Sequence, residues 1–159
     1  MDLLPAIEDA FAWRVRPDVL TDSKQLSDAE LDDVLAISRL DWREVTSEKW
    51  EQYFDVICWL SPLAFCFYLP GIFKATIDDN EPNLIVVGSI VSMLDRSPKP
   101  EWWDDFFLPR WTLLTEPECR VTQEWILWLS NFGNAALSDD ALERSLQTLE
   151  LLISKRGKK

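Results

Sequence analysis

Histidine is absent from the 159-residue sequence. This absence excludes imidazole acid–base chemistry, nucleophilic sites with a histidine base, and most zinc sites. Glycine is scarce as well, with four residues, and no glycine-rich phosphate-binding loop is present. The three cysteines, Cys58, Cys66 and Cys119, lack CxxC spacing, which predicts buried thiols in a reducing cytoplasm. The sequence therefore predicts no cofactor, no metal ion and no common type of catalytic site.

Basic residues are also few: the sequence has 16 of them against 28 acidic residues, which gives a net charge of −12. Lys155, Arg156, Lys158 and Lys159 contribute +4 of this, so residues 1–154 carry −16. Nucleic acids and anionic membranes need Lys and Arg partners, so neither is predicted to bind. The charge favours a basic protein partner, whose approach it would accelerate. A purely solubilising role is the alternative.

Long apolar runs are few. The longest uncharged stretch, residues 56–73, is interrupted by Pro62 and by Pro70-Gly71, which predicts buried helices rather than a membrane span. The amino-terminal residues include acids and no basic cluster, so no signal peptide is predicted, and the predicted location is the cytoplasm.

Apolar residues recur at helical spacing along most of the chain, and strand-like alternation is rare. This pattern predicts an all-α fold: a single domain over residues 1–159 with six to eight helices and a disordered basic tail at 155–159. Its centre is predicted to be Trp50–Phe73, packed against Leu84–Leu94 and Trp125–Leu129. The predicted helices begin near Leu3, Asp28, Ser47, Pro62, Leu84, Glu116 and Asp139.

Helix starts carry capping signatures. The predicted caps are Ser27 with Glu30, Thr46 or Ser47, Ser61 before Pro62, Asn83, Thr115 with Glu118, and Ser138. Gly133 is predicted to follow the end of the helix that Thr115 begins. Gly88 is predicted to allow a close approach between helices.

Two helices have predicted apolar faces. The helix after Ser27 should bury Leu31, Val34, Leu35 and Ile37. The next helix should carry a continuous aromatic stripe through Trp50–Cys58. Both faces would then contribute to the core.

Nine tryptophans supply large, rigid contact area. Four of them, Trp50, Trp59, Trp125 and Trp128, fall on apolar helical faces and are predicted to be core residues. The run from Trp102 to Phe107 differs, because adjacent aromatics cannot share one helical face and some must be exposed. Exposed aromatics beside acids are typical of an interface with a cationic protein. A helix that merely covers the core is the alternative.

The predicted partner-binding residues are two indoles and five carboxylates. They are Trp102, Trp103, Asp104 and Asp105, supported by Asp78, Asp79 and Glu81. A carboxylate-based enzyme that uses Asp78, Asp79 and Glu81 is one alternative, since paired carboxylates can perform acid and base steps. A regulatory or scaffold module with a neutral partner is another.

The run from Leu60 to Pro70, LSPLAFCFYLP, resembles the Leu-Ser-Pro-x-Ala-Phe-x-x-Tyr-Leu-Pro signature of a bacterial all-helical family of unknown function. Its flanks fit as well, with Asp41-Trp42-Arg43 upstream and Arg110-Trp111 downstream, so the resemblance spans about residues 40–135. The family implies an all-helical fold and supplies no catalytic residues. In size and acidity the chain is also similar to immunity proteins of bacterial toxin systems. That similarity implies a non-enzymatic protein that neutralises a basic toxin domain, such as a nuclease, by direct binding.

Overall fold

Helices form all the regular secondary structure in the part of the chain that the computed structural model describes, which is residues 2–22, 24–133 and 137–156. The α-helices there are α1 (Leu3–Phe11), α2 (Asp28–Ser38), α3 (Ser47–Gln52), α4 (Val56–Trp59), α5 (Pro62–Asp78), α6 (Ile85–Leu94), α7 (Phe107–Trp111), α8 (Glu116–Ser130) and α9 (Asp139–Arg156). Short 3₁₀ turns occur at Trp42–Glu44 and Pro100–Trp102. The predicted all-α fold is confirmed. Lys155 and Arg156 complete α9, and the rest of the predicted basic tail lies outside the described residues.

Helix α5 occupies the centre of the fold, because it is apolar around most of its surface, with the charged pair Lys74 and Asp78 near its end. Twelve of its 17 residues are buried. Its Phe73 ring lies 4.4 Å from the ring of Trp125 in α8, and its Phe65 ring lies 5.2 Å from that of Trp111 in α7. Within the described ranges, no helix combines the length and the apolar character that crossing a membrane requires. Most residues of the uncharged stretch 56–73 are buried, in α4 and α5, as predicted.

The interruption predicted at Pro70-Gly71 does not end the helix, since α5 continues to Asp78. Gly71 is where two backbones meet: a Cβ placed there would lie 2.7 Å from the carbonyl oxygen of Trp42. The predicted close approach at Gly88 is wrong, because no atom lies within 4 Å of a Cβ placed there. Of Gly71 and Gly88, only Gly71 lies so close to another backbone that a side chain would clash.

Most predicted caps are confirmed by hydrogen bonds. Side-chain oxygens of Ser27, Thr46, Ser61, Thr115 and Ser138 accept from backbone N–H groups in the first turns of α2, α3, α5, α8 and α9. The cap predicted at Asn83 is wrong: the cap position of α6 is Leu84, which makes no side-chain cap bond. Gly133 follows α8 as predicted, two positions after the C-cap residue Asn131 rather than directly after it, with a left-handed φ of 56°.

The predicted buried stripe of α2 is half wrong. Val34 and Ile37 are buried, whereas Leu31 and Leu35 are exposed. Ser38 completes the buried face instead. The helix packs against the fold along a face narrower than its apolar pattern suggests.

The predicted aromatic helix from Ser47 to Cys58 is divided in two. α3 ends at Gln52, Tyr53 adopts a non-helical backbone (φ −115°, ψ 40°), and α4 begins at Val56. Trp50 is completely buried, whereas Trp59 is only partly buried. This break, together with the short helix α7, brings the described α-helices to nine rather than six to eight.

The cysteines differ in exposure, and this difference predicts their reactivity. Cys58 is half-buried, whereas Cys66 and Cys119 are buried, and none forms a disulfide. Burial raises the pKa of Cys66 to about 12. The thiolate is the nucleophile that attacks a disulfide reagent. Burial also raises the pKa of Cys58, but this side chain is the one that solvent reaches, so we expect one thiol, Cys58, to react slowly in the folded protein at pH 8. Titration with a chromogenic disulfide reagent should detect one thiol before denaturation and three after it. Rapid reaction of Cys66 in the folded state would contradict the described burial.

Candidate protein-interaction surface

The segment from Ser97 to Phe107, here called the Trp102 turn, connects α6 to α7. Trp103 anchors it: the side chain is 5% exposed, and its Nε1 donates to the Ser97 carbonyl oxygen at 2.9 Å. The Trp103 ring also packs edge-on against Phe107, with 5.0 Å between centroids. Its neighbour Trp102 is 67% exposed, so the prediction that part of this aromatic run faces solvent is confirmed.

The two aspartates of the turn have different surroundings. Asp104 accepts from the backbone N–H of Phe107 at 2.8 Å and pairs with Arg96 at 3.0 Å. These bonds begin α7 and tie the turn to the end of α6. Asp105 is exposed, as is Glu101 on the other side of Trp102. Trp103 and Asp104 therefore hold the turn in place, while Trp102 and Asp105 project into solvent.

The exposed indole already interacts with a cation. The Lys99 ammonium lies 4.5 Å from the centre of the Trp102 ring. Such contacts arise because the face of an aromatic ring carries negative potential. The Trp102 ring is thus a surface on which a cationic group of another molecule could be placed.

The second predicted set, Asp78, Asp79 and Glu81, lies at the opposite end of α6 from the Trp102 turn. Helix α6 has ten residues, so about 15 Å of helix separates the two sets. Asp78 pairs with Lys74 one turn earlier in α5. Glu81 accepts from the backbone N–H of Asn83 at 2.9 Å. The structure therefore does not bring the two predicted sets together.

These carboxylates do not converge on a shared site. Across the described residues there is no group of three or more His, Cys, Asp or Glu side chains arranged to hold a metal ion. The segment between α5 and α6 is shaped by Asn80, whose φ of 49° is left-handed. Asp79 is exposed at the end of α5. The segment between α5 and α6 therefore presents separate acidic groups to solvent.

A surface that the sequence predictions missed surrounds Trp13 and Val15, which border a shallow depression with Leu63. Val15 is 84% exposed. Arg14 pairs with buried Glu118 while its guanidinium lies 4.5 Å from the centre of the Trp13 ring, and Arg16 donates to the carbonyl of Ser38. These two arginines hold the segment against the fold and leave Val15 exposed. The Trp-Arg-Val-Arg run was the available signal.

The residues that carry the family resemblance are structural. Ser61 caps α5, and the Tyr68 hydroxyl donates to the Leu40 carbonyl at 2.7 Å. From Ala64 to Pro70 every residue is buried. A motif enclosed in this way fixes the packing of the helices and presents no chemistry to a ligand.

Arg110 stabilises the packing around the start of α5. Its two Nη atoms donate to the carbonyls of Phe106 and Leu60, both at 3.0 Å, and its guanidinium lies 4.1 Å from the centre of the Phe106 ring. Burial lowers the pKa of this arginine. The side chain is therefore a cross-link between α7 and the start of α5.

Comparisons with protein-family models, curated proteins and solved structures returned no match for this chain. The resemblance to the bacterial all-helical family thus stays a prediction based on the Leu60–Pro70 motif.

Proposed function

We propose that this protein binds a basic protein partner and neutralises it, as an immunity protein neutralises a toxin domain. The observation that carries the proposal is the Trp102 turn: an exposed indole, flanked by acids, on a segment fixed by Trp103 and Asp104. Tryptophan is among the side chains that contribute most to binding energy at interfaces.

The fixed geometry of the turn supports this role. A side chain that is already ordered loses little conformational entropy when it binds. Trp103 is inserted into the protein, and Asp104 makes two bonds that orient the segment. The exposed Trp102 would therefore meet a partner without a further ordering step.

Charge supports a basic partner. Residues 1–154 carry −16, which would raise the encounter rate with a cationic protein and make that rate sensitive to salt. Glu101 and Asp105 are the exposed acids beside Trp102. If the partner is a nuclease, such carboxylates would occupy positions that substrate phosphates otherwise take.

The carboxylate-based enzyme has less support. Acid–base chemistry needs two carboxyl groups that face one substrate. Asp78 is instead paired with Lys74, and Glu81 is bonded to the backbone of its own turn. A regulatory module with a neutral partner differs from our proposal in one measurable respect, because its association would be insensitive to salt.

The test is co-expression in bacterial cells with the protein encoded immediately upstream of this chain's gene. We expect that protein to inhibit growth alone and the present chain to restore growth. The purified pair should co-migrate on size exclusion, and its association rate should fall as salt is raised. Growth inhibition that persists with this chain present, together with the absence of a complex, would contradict the proposal.

The double change Trp102→Ala/Asp105→Ala should raise the dissociation rate of that complex about tenfold or more, because it removes an aromatic anchor and an adjacent charge. The change Asp32→Ala/Asp33→Ala on α2 is the matched control. It should slow association and reduce its salt dependence, with little effect on dissociation. Stopped-flow or surface plasmon resonance separates the two rates. If the first pair leaves dissociation unchanged and the second raises it strongly, the interface lies on another surface.

A further inference from the structure

Three shallow depressions, together called the furrow here, lie side by side across α8 and α9, with Leu3 of α1 lining the first and Pro98 the last. The first and second share Glu124 and Leu127, and the second and third share Gln147 and Glu150. Leucine side chains contribute to each depression. Leu127 is 45% exposed, so the furrow has an apolar floor that solvent reaches.

The length of the furrow follows from the pairing of the two helices. Arg120 lies 3.1 Å from Glu150, and the Gln123 side chain donates to the Leu146 carbonyl at 3.4 Å. These contacts make α8 and α9 antiparallel. With a rise of 1.5 Å per residue, the distance along the hairpin from Asn131 to Ser154, which line opposite ends of the furrow, is about 20 Å. That length accommodates three to four turns of a helix.

The lining of the furrow holds two carboxylates, one in an ion pair and one not. The charged side chains that line the three depressions are Glu124 and Glu150. Glu150 is bonded to Arg120 and Gln123. Glu124 has no ion pair within the described part of the chain. An apolar floor with carboxylates beside it is complementary to a helix that carries leucine-like residues on one face and Lys or Arg along its edges.

One end of the furrow reaches the Trp102 turn. Pro98 lines that end, and the next residue, Lys99, stacks on Trp102. Ser154 also lines it, and the following Lys155 lies 5.4 Å from the centre of the Trp103 ring. The two surfaces are therefore adjacent parts of one face.

We propose that this furrow binds an amphipathic basic helix supplied by the protein partner. Its apolar face would cover Leu127, Leu146 and Leu151, and its cations would face Glu124 and Glu150. The inference rests on the proposed function, since the helix belongs to the partner that contacts the Trp102 turn. A second copy of this chain is disfavoured as the occupant, because two bodies of charge −12 repel each other.

A synthetic peptide tests the furrow without the natural partner. The probe is a fluorescein-labelled amphipathic helix of about 15 residues, with leucine on one face and lysine elsewhere, and binding is measured by fluorescence anisotropy. We expect the full chain to bind it. The same composition in scrambled order, which forms no apolar face, should bind at least about tenfold more weakly.

Two variants matched in exposure, spacing and charge locate the binding. Glu124→Lys/Leu127→Ser changes the furrow, and Asp32→Lys/Leu35→Ser makes the equivalent change on α2, where Leu35 is also 45% exposed. The furrow variant should bind the peptide about tenfold more weakly, because it loses an apolar contact and reverses a facing charge. The α2 variant should differ from the unchanged chain by less than about threefold, through long-range charge alone. If the double variant misfolds, Glu124→Gln provides an independent check. It is an exposed substitution that leaves the core unchanged, and it should also weaken peptide binding.

Equal losses in the two variants, or equal binding of the ordered and scrambled peptides, would overturn the furrow and indicate nonspecific attraction to an acidic surface. The growth assay responds separately. Selective peptide binding without protection from the toxin would overturn the immunity function and leave the furrow in place. Protection that persists without selective peptide binding would overturn the furrow alone.

Discussion

Replacing Arg14 with methionine should lower the free energy of unfolding by about 3–5 kcal/mol. Arg14 makes two bonds to the Glu118 carboxylate, one from Nε and one from Nη2 at 2.8 Å, and Nη2 also donates to the Leu113 carbonyl at 3.0 Å. The Glu118 side chain is completely buried, and that of Arg14 is nearly so. Removing the cation would leave a carboxylate inside the protein with no charge partner, which is the costly case for a buried pair.

Moving the Glu118 side chain towards solvent would also destabilise the protein. Its Oε1 also accepts from the backbone N–H of Thr115 at 2.8 Å, as part of the capping box at the start of α8. Movement of the side chain towards water would break that cap, which is worth about 1 kcal/mol. The expected loss therefore includes either an unpaired buried charge or a damaged helix start.

Urea denaturation followed by circular dichroism measures the effect, with Arg43→Met as the control. Arg43 pairs with Glu8 and Asp41, and all three side chains are partly exposed, so this change should cost less than about 1 kcal/mol. The double change Arg14→Met/Glu118→Gln should recover part of the loss, because glutamine retains the cap without the charge. Equal destabilisation by Arg14→Met and Arg43→Met would contradict the account.

Gly71→Ala should destabilise the protein by about 1–3 kcal/mol. In a helix interior, alanine is favoured over glycine by up to about 1 kcal/mol, so the substitution would stabilise if space were available. At Gly71 it is not: the added Cβ would lie 2.7 Å from the Trp42 carbonyl oxygen. That oxygen belongs to the backbone of a 3₁₀ turn capped by Asp41, and it can move only by displacing the turn.

Gly88→Ala is expected to have the opposite effect on stability. The position is helical and has open space around the new Cβ, so stability should rise by about 0.5–1 kcal/mol. Thermal or urea unfolding of both variants gives the comparison. If Gly71→Ala were as stable as Gly88→Ala, the described contact between α5 and Trp42 would be wrong.

The clearest successes of sequence reasoning are local. Ser27 with Glu30 and Thr115 with Glu118 form the predicted capping boxes, because a cap depends on residues three positions apart. Ser61 and Pro62 likewise begin α5 as expected. The physical causes of these features lie within a few residues of chain.

The candidate surface was predicted in part. Adjacent indoles cannot share a helical face, and this argument correctly implied that part of the run from Trp102 to Phe107 is exposed. It could not say which indole is buried, because that depends on Ser97, Arg96 and Lys155, which only the folded chain brings to Trp103 and Asp104. The furrow could not be predicted for the same reason, since its lining comes from α8, α9, Leu3 and Pro98, which only the folded chain brings together.

Sequence by itself determined the fold class, the excess of acid and the absence of histidine chemistry, because composition and short-range period are properties of the chain. Tertiary structure alone decided that Glu118 is a buried ion-pair partner as well as a cap, that Gly71 rather than Gly88 is required, and that the acids near Asp78 lie apart from the Trp102 turn. The first two depend on groups distant in sequence that share one small volume, and the third depends on the helix that separates the two sets. Burial and close contact are decided by the packing of whole helices, which no local pattern contains.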